Sequence, residues 1–190
     1  ACERAEKGAI LSPRELLDCA NVLRTARILQ DYHTGNHPFD TVLDEVFDRL
    51  ITDRRLEERI TRAIPAEDMI ADEASPALAD IRRKIRASNA KIKEALSKYV
   101  SGSYSKYLQE NIVTQRNGRY VVPVKAEHRN DVKGLIHDTS SSGATVFVEP
   151  MAVVDANNEL RMLESKEAHE IERILSEFSS DIATASPSLN

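Results

Sequence analysis

Apolar residues recur at helical spacing over most of this chain, and the period changes once, past its middle. The pattern begins at Ser12-Pro13-Arg14-Glu15, a capping box with proline at the first helical position. Leu16, Ala20, Leu23 and Leu29 follow at near-helical steps until Gly35 and Pro38 break the run. A second helix is predicted over about Thr41 to Leu50, with Val42, Val46 and Leu50 on one face. A third is predicted from about Asp53 to Ile64, presenting Leu56, Ile60 and Ile64, and Pro65 ends it. Ser75-Pro76 is the next cap. Behind it Leu78, Ile81, Ile85, Ile92, Ala95 and Tyr99, with polar Ser88 in the open slot, alternate steps of three and four. That is a heptad seam, and it reaches about Val100.

Beyond residue 111 the period becomes two. The runs 112–116 (IVTQR) and 119–126 (RYVVPVKA) flank Asn117-Gly118, a pair that tolerates the positive φ both positions of a tight hairpin turn require. Two further strands, 134–138 and 144–148, flank a serine-rich loop. Pro123 has no N–H to donate, which predicts an edge or a bulge for its strand. Four short strands make an antiparallel sheet too small to stand unsupported. From Pro150 to about Ile182 the helical period returns, with Leu160, Leu163, Ile171, Ile174, Phe178 and Ile182 as its seam.

The expected fold is therefore α+β and mainly helical: a helical packet over 1–75, a rising helix over 76–110, a β tip over 111–149 and a returning helix over 150–190. Charge supports the pairing of the two long helices, each roughly 40 Å in length. Residues 76–106 carry a net of +6 and residues 150–190 a net of −5, within a total of −5 over 190 residues. Antiparallel packing would set Ile85 and Ile92 against Leu163, Ile171 or their neighbours. It would also bring Arg82, Arg83, Lys84, Arg86, Lys91 and Lys93 near Glu164, Glu167, Glu170, Glu172 and Glu177. No apolar run approaches the roughly 20 residues of a membrane span. Two cysteines make no disulfide framework, and a reducing cytoplasm is the default location. The chain opens ACERAEKG and stops after TASPSLN, and both ends read as cuts within a longer protein.

Little in the sequence promises catalysis. Neither G-x-x-x-x-G-K-[ST] nor G-x-G-x-x-G occurs, so no nucleotide cofactor is expected in this stretch. His137, Asp138 and the serines 140–142 are triad residue types, but they are sequence neighbours, and alternation would turn His137 and Asp138 to opposite faces. His33 and His37 lie four apart across Gly35, with Pro38 following, so no metal site is expected. The hairpin is more informative. It sets Arg116 opposite Arg119 and places both with Lys125 on one face, leaving Val113, Tyr120, Val122 and Val124 on the other. Like charges directly opposite are unfavourable, and an anionic partner such as a nucleic-acid backbone would relieve them. Neutralisation by Glu127 or Glu149 on a solvated face is the alternative. His128, Arg129 and Lys133 extend the basic set, and Asp131 opposes it.

The run 117–150, NGRYVVPVKAEHRNDVKGLIHDTSSSGATVFVEP, and the MAVVDANNELRMLE after it resemble the signature stretch of the bacterial MutS-II proteins, MutS paralogues without the mismatch-reading domain. LSPRELLD, IADEASPALADIRRKI and YLQENIVTQRNGRY upstream resemble the same family, so nearly the whole chain is covered. The resemblance implies part of a helical core over 1–75, lever helices over 76–110 and 150–190, and a clamp over 111–149 that closes on DNA backbone without regard to sequence. For the full-length proteins it implies dimeric ATPases, using ATP and Mg, with an Smr endonuclease domain. Their implied roles are branched-DNA processing, suppression of recombination and rescue of collided ribosomes. Neither domain is in this sequence. The expectation is a non-catalytic DNA clamp, with a ribosome- or rRNA-contacting arm as the alternative.

Overall fold

A computed structural model describes residues 1–36, 44–50 and 52–185. His37, Pro38, Thr41 and Val42 of the predicted breaks and second helix lie outside the described residues. The fold is mainly helical α+β, with one four-stranded antiparallel sheet, and it divides into two compact units: Ala1–Ala79 with Ala168–Asn190, and Asp80–Glu167.

In the first unit, helices α1 (Cys2–Glu6), α2 (Pro13–Asn36), α3 (Asp44–Phe47) and α4 (Arg54–Ala63) join the opening turn of α5 (Pro76–Ser101). The predicted capping box forms: the Glu15 N–H donates to Ser12 Oγ at 3.3 Å, and the Ser12 N–H donates to Glu15 Oε2 at 2.9 Å. Asp53 caps α4 by accepting the Leu56 N–H at 2.9 Å. Leu16, Ala20 and Leu23 of α2 and Leu56 and Ile60 of α4 then bury in one core with Leu78, Ile174, Phe178 and Ile182. Arg27 clasps the buried Glu57 with two hydrogen bonds of 2.9 Å, tying α2 to α4. No sequence signal predicts α1, which buries Ala5. Helix α2 runs through Gly35 to Asn36, the last described residue of that stretch, and Pro38, the other half of the predicted break, lies outside the described residues. Of the second predicted helix residues 44–50 are described, and within them Asp44–Phe47 are helical with Val46 exposed.

The second unit holds the rest of α5 and the strands β1 (Thr114–Arg116), β2 (Arg119–Lys125), β3 (Gly134–Thr139) and β4 (Thr145–Pro150). The start of α6 (Val154–Ala185) completes it. Strand order is β1-β2-β4-β3. Val122 and Val124 pair with Val148 and Val146, and these four side chains share a core with Ile92, Leu96, Leu108, Val132, Val153 and Leu160. Arg82 bonds Glu167 at 2.6 Å, while Ile92 shares its core with Leu160, so α5 and α6 run antiparallel here. The seam differs in detail. Ile92 shares its core with Leu160, the neighbour one turn before Leu163, within the expected pairing, but Leu96 is fully buried where Ala95 was expected and Ile171 packs on the first unit's core. Arg83 and Lys84 hold Asp80 on their own helix instead of an acid on α6.

Pro123 is not on an edge strand, since β2 lies between β1 and β4. Its missing N–H falls where β1 has ended: β1 pairs only with 119–121, and beyond it Gln109 donates its N–H to the Pro123 carbonyl at 2.8 Å.

Candidate nucleic-acid interface

The hairpin turns as its sequence requires. Asn117 has φ 52°, Gly118 has φ 72°, and Arg116 stands directly across from Arg119. However, the anion that relieves this pair is internal. Arg119 donates from Nη1 to Glu149 Oε1 at 2.9 Å and from Nη2 to Asn158 Oδ1 at 2.6 Å. Arg116 lies over the Phe147 ring, 3.9 Å from its centroid, with Nε 3.3 Å from Asp138 Oδ2. The charge that pointed to an external phosphate is thus met within the sheet, and Arg119 in particular is committed.

Glu149 organises this region. It ends the apolar run of β4 with its side chain fully buried (0 %), yet it stays ionised. Burial pushes its carboxyl up, but hydrogen bonds from Arg119, Asn157 and His137 outweigh that and hold it below the ordinary carboxylate value. His137 donates Nε2 to Glu149 Oε2 at 2.5 Å. It can do so because β3 bulges between Ile136 and Asp138, which overturns the strict alternation expected there. Both His137 and Asp138 therefore reach groups on the Phe147–Glu149 face: Glu149 and Arg116 respectively. The serines close their own loop, Ser140 Oγ accepting the Thr145 N–H at 3.1 Å, and do not converge with His137. Asn157, buried in the first turn of α6, donates Nδ2 to Glu149 at 2.7 Å. It also accepts from and donates to the Tyr120 backbone, at 3.2 Å each way. Its amide thereby completes the hydrogen bonding of β2 where β4 has turned away. Sequence reasoning missed Asn157 and Asn158. The available signal was a pair of weak helix formers in a helix's first turn.

The other predicted cations are disposed differently. Lys125 donates Nζ to the Lys106 carbonyl at 3.3 Å. His128 is held by Asp131 at 2.9 Å, with Glu127 at 3.6 Å. Arg129 and Lys133 are exposed and have no ionic partner among the described residues. The unit over 80–167 contains 15 Lys and Arg against 11 Asp and Glu, a net of +4, whereas the remainder carries −9.

Among characterised proteins the chain is 49% identical over 193 residues, 99% of its length, to a protein named Endonuclease MutS2 from Ruminiclostridium cellulolyticum. Proteins of the same name from Acetivibrio thermocellus and Pelotomaculum thermopropionicum are each 50% identical over 95% of the chain. The chain belongs to the MutS-II family. It spans about a quarter (23–24%) of the length of these MutS-II relatives, and no family model matches it. No phosphate loop occurs in the sequence, and among the described residues no three His, Cys, Asp or Glu gather to hold a metal ion. His33 stacks on Phe47 and bonds Asp44 at 2.9 Å, while its predicted companion His37 is outside the described residues. No described helix is long and apolar enough to cross a membrane.

Proposed function

We propose that residues 80–167 are the clamp and lever region of a MutS-II protein, gripping nucleic-acid backbone without sequence preference, and that this segment has no catalytic role. The observation that carries the reading is the charge division: the sheet-bearing unit is cationic within an acidic chain, and among the described residues Arg129 and Lys133 have no ionic partner. Lys125 and His128 complete the contact set. Arg116, half-exposed beside Asp138, is a secondary contact, and Arg119 holds the clamp together rather than touching phosphate. In the full-length protein, ATP hydrolysis and endonuclease activity would belong to other domains, two copies would act together, and branched DNA would be the target.

Phosphate contacts release counterions, so each one lost should lower the slope of log K against log salt by about 0.9 on duplex DNA. The test is a salt titration of the chain and of its Lys125→Gln/Arg129→Gln/Lys133→Gln variant, with binding measured at several unrelated duplex sequences. The expected outcome is a uniform loss across sequences and a slope shallower by about 2–3. An unchanged slope in a folded variant sinks the reading. The same titration on rRNA fragments addresses the ribosomal alternative, since tighter binding there than to branched DNA would favour it.

A further inference from the structure

Beside the cations of the proposed clamp lies a run of rings that extends from the second unit's core out to the solvent. Tyr99, on the last turns of α5, stacks on Tyr104 with centroids 4.7 Å apart and planes 29° from parallel. Tyr104 meets Tyr107 at 6.3 Å, and Tyr107 meets His128 at 5.0 Å. Tyr99 and Tyr107 are partly buried against the second unit's core, which fixes the ends of this series. Tyr104 is different. It is absent from that core and leaves 37 % of its surface in water, on the turn that follows Gly102-Ser103. Lys106 places its ammonium 4.9 Å from the centre of the Tyr107 ring, and Lys125 reaches the Lys106 carbonyl, so two cations border the rings. Asp131 and Glu127 flank only the His128 end.

We propose that Tyr104, braced by Tyr99, is a stacking platform for an unpaired nucleobase, with Lys106 and Lys125 on the adjoining phosphates. The ligand class is a single-stranded stretch, such as the unpaired bases beside a branch or gap. The physical case is that a base offers an apolar π-face at the end of an anionic backbone. A water-exposed aromatic ring held rigid by a second ring and bordered by ammonium groups complements both parts. A duplex keeps its bases stacked on one another and cannot use this surface. The platform rests on the backbone reading above for its location, yet it supplies a different discrimination: unpaired against paired.

The test uses the 190-residue chain and oligonucleotides carrying 2-aminopurine, whose fluorescence is quenched when it stacks. Wild type and Tyr104→Phe should quench a single-stranded probe. Tyr104→Ala and Tyr104→Leu should lose the quenching and bind that probe roughly tenfold to a hundredfold more weakly. Their duplex affinity and duplex salt slope should match wild type. The leucine variant keeps apolar bulk without a π-face, so it serves if the alanine variant is poorly folded by circular dichroism. Quenching and affinity unchanged in either folded variant overturn the platform. Duplex binding by wild type with no quenching of the single strand also overturns it, while leaving the backbone reading intact. Quenching that survives alongside a duplex salt slope indifferent to Lys125, Arg129 and Lys133 supports the platform and removes the backbone reading.

Discussion

Glu149 carries a full charge with no exposed surface, and three neighbours make that tolerable: Arg119, Asn157 and His137. Replacing it by glutamine leaves the Arg119 guanidinium, only 18 % exposed, facing a neutral amide. Removing one partner of such a pair strands the other charge, so Glu149→Gln should cost about 2–4 kcal/mol in urea unfolding. Adding Arg119→Met should cost less than the sum of the two single changes, because no unpaired charge then remains. The sign of the pH dependence follows from the depressed carboxyl. Its stabilisation is complete above the ordinary carboxylate value of 4.5 and is lost as pH falls through the lower folded value. Wild type should therefore lose stability below about pH 4.5 more steeply than Glu149→Gln does. Equal slopes in the two proteins would mean that Glu149 is not ionised in the fold. In the sequence Glu149 is legible only as one of two acids able to neutralise the arginine face. Nothing local says that it would be buried, since burial depends on an asparagine eight residues away that folds back onto it.

At the scale of elements, two glycines of the sheet have opposite requirements. Gly118 needs its positive φ of 72°, but a Cβ there would meet nothing within 4 Å. Gly134 has an ordinary φ, but a Cβ would lie 2.2 Å from the Glu149 backbone oxygen and 2.7 Å from Val148. Gly118→Ala should thus cost about 1–2 kcal/mol of conformational strain while leaving strand pairing intact. Gly134→Ala should force β3 off β4, and amide exchange should accelerate along 134–139 and 145–150 far more than along the hairpin. Equal protection in both variants would remove the steric account. The two cases also mark the limit of reading elements from the chain. Asn117-Gly118 is a local signal with a local cause, so the hairpin and its facing arginines are legible, as are the caps at Ser12 and Asp53. The bulge at His137, the interior place of Pro123 and the burial of Leu96 are set by which strand or helix arrives alongside. Periodicity within one segment does not contain that information. The arginine face shows the same division: its register is local, whereas its neutralisation by Glu149 and Asp138 comes from strands 20 to 30 residues further on.

Charge is divided at the scale of the whole molecule as well. The segment 80–167 is one uninterrupted piece of chain with a net of +4, and the residues outside it carry −9. Its core is self-contained: Ile92, Leu96, Leu108, the valines of β2 and β4, Val132, Val153 and Leu160 all fall inside it. Expressed alone, it should therefore fold cooperatively, with a single thermal transition by circular dichroism, although at this length little stability is in reserve. If the net positive field of this unit draws the nucleic acid, then removing the −9 remainder should tighten duplex binding by roughly two- to tenfold at low salt. The advantage should shrink toward nothing as ionic strength rises. Near 0.15 M the screening length is only about 8 Å, and direct contacts at the phosphates survive that screening better than long-range repulsion does. The measurement is a pair of salt titrations, 80–167 beside the full 190-residue chain on the same duplex. A folded segment that binds more weakly than the full chain at every salt would show that residues outside it make contacts of their own, and would move the interface out of the sheet-bearing unit.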